Sequence, residues 1–290
     1  MRLIILKPFK VIDKESGNYG SCINRGLREA KGKYIKVLDA DDCFDTEAFD
    51  VFLCKLVELD FDLVVTDGCN YMSKKQKRIY WHVGCVSNEI LPITELPSIW
   101  MHTITYKTDN LRRMNYRQTE GISFTDEEWA FWPMSTVKIF YYLPICLYCY
   151  TLERDGQSVD AIAWIKKIHQ EILLSRPMIE FLHNAKRTEP AYTYFHRKLF
   201  TRLRHFYSRL VVEYDVPISQ EIATFDSYFL KQLPEMYEKL TDDMVVHWRI
   251  PIHYMRYWRS HGYKISPYHP YGIIIKGCRL LKKLKAYLNC

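Results

Sequence analysis

The chain has 290 residues, of which 48% are hydrophobic, and a formal net charge of +7. This length allows one large domain or two, with a full hydrophobic core. The nine cysteines are an odd number, which argues against a framework of paired disulfides and favours a reducing compartment. Neither a signal peptide nor an apolar run of the roughly 18 residues that a membrane span needs is recognisable. We therefore expect a soluble or peripheral protein in the cytoplasm.

The first elements alternate between strand and helix patterns. Residues 2–6 (RLIIL) predict a strand. Residues 21–30 predict a helix, with Ser21 as its N-cap and Gly32 just past its end. A short apolar run over residues 34–38 then predicts a second, buried strand. Strands and helices in alternation are typical of an α/β fold.

Three carboxylates, Asp39, Asp41 and Asp42, directly follow the predicted strand over 34–38. Like charges this close repel one another, so a fold tolerates them when they are solvated or neutralised by a cation. Asp39 and Asp41 suit a hard divalent ion that also holds phosphate oxygens, and open α/β sheets bind ligands beyond the carboxyl ends of their strands. For an isolated D-x-D, a solvated turn is the alternative. An EF-hand loop fits poorly, because Phe44 stands where that loop needs glycine.

The residues before these carboxylates extend the pattern. They comprise a turn of the N-G-G type, a helix with N-x-G and A-x-G, and a strand that ends in D-A-D-D. The matching positions are Asn18, Gly20, Asn24, Gly26, Ala30, Gly32, Asp39, Asp41 and Asp42. In this register the run resembles the nucleotide-sugar-binding half of family-2 glycosyltransferases of the GT-A fold. It departs from the family pattern at Tyr19, where many members carry a second glycine.

The resemblance implies a Rossmann-related, mostly parallel sheet, with a metal ion at Asp39 and Asp41. It also implies that Asn18, Asn24 and Asp39 contact a nucleotide-sugar donor. For Asn24, an exposed helix face or a bond to the neighbouring acidic loop is the alternative. In the resembled family, a further βαβ unit with the pocket for the nucleotide base precedes this point. We therefore expect a GT-A-like domain over residues 1–160 that is N-terminally truncated and lacks the first βαβ unit.

Several elements follow the acidic cluster. A helix is predicted from Thr46 through about Leu59, with Thr46 as its cap, and residues 62–66 predict a buried strand. Residues 78–83 and 99–107 also have strand patterns. Within the second of these, His102 is either a metal ligand or, as is commoner, a hydrogen-bonded histidine of the sheet.

Residues 121–131 (GISFTDEEWAF) carry a second acidic group. In the resembled family, an acidic pair at the start of a helix lies beneath the acceptor sugar, and its aspartate is the general base. Asp126 matches that position, and Thr125 stands where a glutamate is common. A sugar hydroxyl is a poor nucleophile, so a positioned carboxylate that takes its proton accelerates transfer. The alternative is an ordinary helix N-terminus, where a threonine followed by acids is frequent.

Residues 148–159 (YCYTLERDGQSV) contain an R-x-G-Q-S element that the resembled transferases often carry after an aromatic strand. Its Arg154 and Gln157 are thereby predicted to bind the donor. Arg154 offers a fork of N–H donors that suits a diphosphate. A polar hairpin turn is the alternative. The resemblance ends near residue 160.

Residues 161–290 are predicted to form a helical, basic extension, with 21 Lys and Arg against 11 Asp and Glu. The aromatic-basic stretch over 192–212 is interpreted as a packing helix with its arginines facing outward, so no nucleic-acid partner is expected. No acidic residue follows Asp243. Residues 273–288 predict a basic amphipathic helix that either lies on an anionic membrane surface or docks on the protein itself.

Together these patterns predict a glycosyltransferase that moves a sugar from a nucleotide-diphosphate sugar to a glycan or lipid-linked glycan acceptor. A Mn²⁺ or Mg²⁺ ion at Asp39 and Asp41 would neutralise the leaving diphosphate, and Asp126 would be the base. The family implies inversion at the anomeric carbon. The alternative hypothesis is a non-catalytic, truncated homologue that binds a membrane or a partner subunit.

Overall fold

The computed structural model describes residues 10–15, 17–86, 89–152, 161–243, 245–247 and 250–288. The helices are α1 (Asn18–Glu29), α2 (Thr46–Glu58), α3 (Thr108–Arg113), α4 (Asp126–Trp129), α5 (Ala161–Lys166), α6 (Ile168–Asn184), α7 (Tyr192–Tyr207), α8 (Gln220–Gln232), α9 (Pro234–Thr241), α10 (Tyr254–Ser260) and α11 (Pro270–Leu288). The strands are β1 (Tyr34–Ile35), β2 (Cys43–Phe44), β3 (Leu63–Met72), β4 (Lys77–Trp81), β5 (Ile90–Pro92), β6 (Ile104–Lys107), β7 (Ile139–Leu152), β8 (Val245–His247) and β9 (Ile250–Ile252). A π-helical turn over Ser208–Glu213 continues α7.

The main sheet has the strand order β1-β6-β3-β7-β2, with β4 beside β3 and β5 beside β7. Strands β3 and β7 are parallel, and the other pairs described in this sheet are antiparallel. The α/β prediction is confirmed, but the sheet is mixed where a mostly parallel one was expected. One reason is the tight connection from β3 to β4, in which Gln76 adopts a left-handed conformation with φ of 50°. A turn this short returns the chain antiparallel, because a parallel neighbour needs a long crossover.

The helix starts differ from those predicted. Helix α1 begins at Asn18 after Gly17, so Ser21 lies within it and donates a hydrogen bond to the Asn18 carbonyl (2.6 Å). Helix α2 is capped by Asp45, whose carboxylate accepts from the Ala48 amide (3.1 Å). The Asp45 carboxylate thereby satisfies an otherwise unpaired N–H group of the first turn of α2.

One large apolar core contains residues of the sheet and of helices α6 to α8. Phe131, which follows α4, packs against Phe181 of α6 and Phe195 of α7. Tyr194 donates a hydrogen bond to the Ala130 carbonyl (2.6 Å). A smaller cluster around Phe52 lies between α2 and the other face of the sheet. The domain boundary predicted near residue 160 falls at the end of residues 153–160, which lie outside the described part of the chain.

The amphipathic helix predicted near the C-terminus is present as α11. Ile275 and Cys278 are buried against the protein, and Arg279 donates hydrogen bonds to the carbonyls of Val211 and Val212. In the described part of the chain, no helix combines the length and the apolar character needed to cross a bilayer.

Candidate active site

A cavity of about 620 Å³ lies between the loop after β1, the start of α4 and helices α6 and α7. Its sheet side is lined by Asn18, Tyr19, Asp39, His102 and Asp126 among others. Its helical side is lined by Glu171, Arg202, His205 and Arg209 among others. Two of the predicted acidic site residues, Asp39 and Asp126, therefore face the same cavity.

The acidic loop is shaped by a turn. Strand β1 ends at Ile35, and the amide of Asp42 then donates to the carbonyl of Asp39 (3.1 Å). Strand β7 fixes the Asp42 carboxylate, which accepts from the Tyr148 hydroxyl (2.7 Å) and from the Thr151 amide (2.8 Å). Burial, opposed by these two bonds, raises the pKa of Asp42 above its ordinary value.

Asp39 is held in its ionised form. Its Oδ1 accepts from the Tyr19 hydroxyl (2.8 Å), and its Oδ2 lies 3.5 Å from His102 Nε2. Burial by itself would raise the pKa of Asp39, but the interactions with His102 and Tyr19 outweigh it, so the pKa lies below its ordinary value. Asp39 thus keeps a negative charge at neutral pH.

Asp39, Asp42 and His102 form a possible metal site. Each offers one ligand atom, and the three atoms lie within 4.8 Å of one another. Two carboxylates and an imidazole are a donor set that fits Mn²⁺ well, while Mg²⁺ prefers oxygen ligands alone. His102 was predicted to be either a metal ligand or a hydrogen-bonded histidine of the sheet, and this placement favours the metal ligand. Asp41 is exposed and lies outside this group of three, so its assignment as a metal ligand stays a prediction.

Asp126 is the first residue of α4. Thr125 is the N-cap residue, but its hydroxyl makes no capping bond and accepts instead from Gln118 Nε2 (3.0 Å). Burial, assisted by the neighbouring charge of Glu127, raises the pKa of Asp126 to about 6. A carboxylate with a pKa this close to neutrality is well suited to general-base chemistry.

Glu127 is engaged differently from Asp126. Its Oε2 lies 3.0 Å from Lys198 Nζ and 3.9 Å from Arg202 Nη1. Arg202 also pairs with Glu171, with Nη2 2.5 Å from Oε2. Burial would raise the pKa of Glu127, but the charges of Lys198 and Arg202 bring it below its ordinary value. The prediction that the arginines of residues 192–212 face outward is wrong at Arg202, which is only 7% exposed; Lys198, on the same face, is 4% exposed.

The predicted donor contacts lie in different places. Asn18 lines the cavity at the start of α1. Asn24 is buried elsewhere: its Nδ2 donates to the Gln118 carbonyl and to Glu120 Oε1 (2.8 Å each), and its Oδ1 accepts from the Gln118 amide (2.8 Å). Asn24 thus fastens α1 to the segment before α4, and an exposed helix face is excluded for it. Arg154 and Gln157 lie outside the described residues, so their donor contacts stay predictions.

Sequence reasoning missed the helical side of the cavity. Lys198, Arg202, His205 and Arg209 follow one another at spacings of four, three and four residues, which places them on one face of α7 and its π-helical extension. That spacing was the available signal. Its partners, Glu127 and Glu171, are distant in sequence, so the pattern alone could not show that this face is turned inward.

Residues 5–121 match the family model described as glycosyl transferase family 2. This segment is less than half of the chain, and over it the chain is similar to family-2 glycosyltransferases. A search of curated protein sequences gave no match to this chain.

Solved structures of TarS from S. aureus share its fold. TarS 1-349 in complex with UDP-GlcNAc is 15% identical, with a TM-score of 0.58, over 87% of this chain and 71% of that one. TarS 1-349 in complex with UDP is 15% identical, with a TM-score of 0.52, over 83% and 67% of the two chains. A longer TarS structure is matched at 15% identity and a TM-score of 0.56, over 87% of this chain and 43% of that one. The predicted GT-A-like α/β fold with a helical C-terminal region is thereby confirmed.

Proposed function

We propose that this protein is a glycosyltransferase that moves a sugar from a nucleotide-diphosphate sugar to a hydroxyl group of a glycan or lipid-linked glycan. The observation that carries the proposal is the shared cavity, which brings Asp39 and Asp126 together although they belong to separate elements. Because TarS structures contain UDP-GlcNAc or UDP, UDP-GlcNAc is the first donor to test and UDP is the first nucleotide ligand to test.

The donor half of the site would be the acidic loop. Asp39, Asp42 and His102 have the ligand types and the spacing to hold a divalent ion, Mn²⁺ or Mg²⁺. Such an ion, when bound, offsets the negative charge that grows on a leaving diphosphate. Asn18, which lines the cavity, would contact the donor together with Arg154 and Gln157.

The acceptor half would be the start of α4. The Asp126 carboxylate would accept the proton of the acceptor hydroxyl while that oxygen bonds to the anomeric carbon of the donor sugar. The bond between that carbon and the diphosphate oxygen breaks in the same step, so the anomeric configuration inverts. Glu127 is a poorer candidate for the base, because its charge is already paired with Lys198.

Helix α11 supports a peripheral location on the cytoplasmic face of a membrane. Beside its docked face, Ile273, Leu280 and Leu281 are exposed apolar side chains, and the chain around them is basic. Such a surface favours an anionic bilayer, where lipid-linked acceptors are held. Co-sedimentation with vesicles that contain phosphatidylglycerol should fall when Leu280 and Leu281 are changed to Glu. Equal sedimentation of the variant and the unaltered protein would refute this location.

The activity is tested with UDP and UDP-GlcNAc. Calorimetric titration should show UDP binding that depends on MnCl₂ and that is lost in Asp39→Asn. Asp126→Asn should still bind UDP but should release little UDP from UDP-GlcNAc, whereas Asp50→Asn, an exposed position on α2, serves as the matched control. If the unaltered protein binds neither UDP nor UDP-GlcNAc in the presence of metal, the non-catalytic alternative replaces this proposal.

A further inference from the structure

Trp100 is a large aromatic side chain at the edge of the cavity. It lines the cavity together with Asp39 and Asp126, and 51% of its surface is exposed. Exposure of this much apolar surface beside a reaction site is a sign of a binding surface. Neither the metal group nor the proposed base uses this ring.

Trp81 of β4 packs against Trp100. The two rings meet edge to face, with centroids 5.3 Å apart and an interplanar angle of 84°. Trp81 is itself fixed, since its Nε1 donates to Asn70 Oδ1 (3.2 Å). The position opposite Trp81 on β3 is Gly68, where an added Cβ would lie 2.3 Å from Trp81 Cη2. Glycine at this position therefore makes room for the indole ring.

The apolar surface continues along β4, away from the cavity. Alternate residues of a strand share a face, so Ile79 lies on the same face as Trp81. Ile79 is 49% exposed, and it pairs with Asn70 of β3. Ile79, Trp81 and Trp100 thus form a track that leads into the cavity. Tyr80, which lies between Ile79 and Trp81 in sequence, points to the opposite face of β4 and does not belong to this track.

We propose that this track binds the acceptor, and that the acceptor is a carbohydrate chain with at least two sugar units. This inference rests on the proposed function, because it assigns the second substrate of the same site. One face of a sugar ring presents C–H groups, which pack favourably on the negatively polarised face of an aromatic ring. A nucleobase would cover a single ring, whereas the track extends from Trp100 over Trp81 to Ile79. Trp100, at the cavity end of the track, lines the same cavity as Asp126, so the terminal sugar would lie in the cavity that contains the proposed base.

The test uses the full chain and a printed array of neutral and lipid-linked oligosaccharides, probed with fluorescently labelled protein. A glycan bound by the unaltered protein is then titrated while tryptophan fluorescence is recorded. Trp100→Ala should weaken this binding about tenfold or more, and Trp100→Phe, which keeps an aromatic face, should weaken it less. Tyr80→Ala, on the other face of the same strand, should bind as the unaltered protein does. The UDP affinity in MnCl₂ should be unchanged in all three variants.

Three results would overturn the inference. The first is that no glycan of the array binds, and the second is that Trp100→Ala binds its glycan unchanged. The third is that Trp100→Ala weakens UDP binding instead, which would assign the ring to the nucleobase. Because Trp100 is half exposed, its replacement leaves the core intact, and thermal unfolding verifies this. If a glycan binds through Trp100 but UDP does not bind at all, the proposed transferase function fails while the carbohydrate surface stands.

Discussion

Two glycines of α1 are expected to respond in opposite ways when they are replaced by alanine. At Gly20, an added Cβ would lie 1.9 Å from the backbone carbonyl oxygen of Thr119 and 2.8 Å from its carbonyl carbon. At Gly26, in the same helix, an added Cβ would meet no atom within 4 Å. The two positions therefore separate the effect of close packing from the effect of helix propensity.

The contact at Gly20 cannot relax cheaply. Real Cβ atoms essentially never come within 3.0 Å of another heavy atom, so helix and loop would have to separate by roughly 1 Å. The loop is held in place, because Glu128 accepts from both the amide and the hydroxyl of Thr119 (2.8 Å each). Overpacking of this kind costs about 1–3 kcal/mol of the free energy of unfolding. Gly26→Ala should instead add about 0.5–1 kcal/mol, since alanine is the better helix former.

Urea unfolding followed by circular dichroism gives both free energies by linear extrapolation to water. Gly20→Ala should also weaken UDP binding in MnCl₂, because Tyr19, the adjacent residue, donates to Asp39. A Gly20→Ala protein as stable as the unaltered one would refute the packing argument. Equal destabilisation of the two variants would refute it as well, since only Gly20 contacts the loop.

Three further predictions concern the charges of the site. The rate of UDP release should fall as the pH drops through about 6, because Asp126 must be unprotonated to accept a proton; a pH–rate profile without this limb would contradict the assignment. Asp42→Asn should weaken Mn²⁺ binding more than Asp41→Asn, as measured by calorimetry, and the reverse order would restore Asp41 as the ligand predicted from sequence. Arg202→Met should lower the free energy of unfolding by about 3–5 kcal/mol, because it removes the cation nearest to the buried Glu171, which keeps a hydrogen bond from Trp164 but has Arg209 only at 4.0 Å; a loss under 1 kcal/mol in urea unfolding would contradict this.

The sequence predicted the acidic loop, with Asp39 and Asp41 as metal ligands, whereas the structure groups Asp39 with Asp42 and His102. The prediction for Asp39 and Asp41 was based on their D-x-D spacing and on the family resemblance. The strand ends at Ile35, and the turn that follows brings residues three apart together, so Asp42 joins Asp39. Whether Asp41 takes part in metal binding remains for the calorimetric comparison.

The placement of Asp126 beside Asp39 could be predicted from sequence, because residues 121–131 and the run ending at Asp42 both match motifs of the same resembled family. The ion pairs of Lys198 and Arg202 could not, since a buried cation and a solvated one give the same helical spacing. Lys198 and Arg202 are buried because Glu127 and Glu171 lie beside them. The positions of these two glutamates depend on how α7 packs against α4 and α6. Long-range pairing of this kind leaves no local signature.

The core that joins the sheet to helices α6 to α8 has a consequence for how the protein loses its activity. The helices that line the cavity and the sheet are held together by the same packed side chains, among them Phe131 and Phe195. A fragment limited to the family-matched segment would keep Asp39 but would lack Asp126 and every residue of the opposite wall. Displacement of α7 would thus remove one wall of the cavity and abolish the proposed sugar transfer, with no change to Asp39 or Asp126.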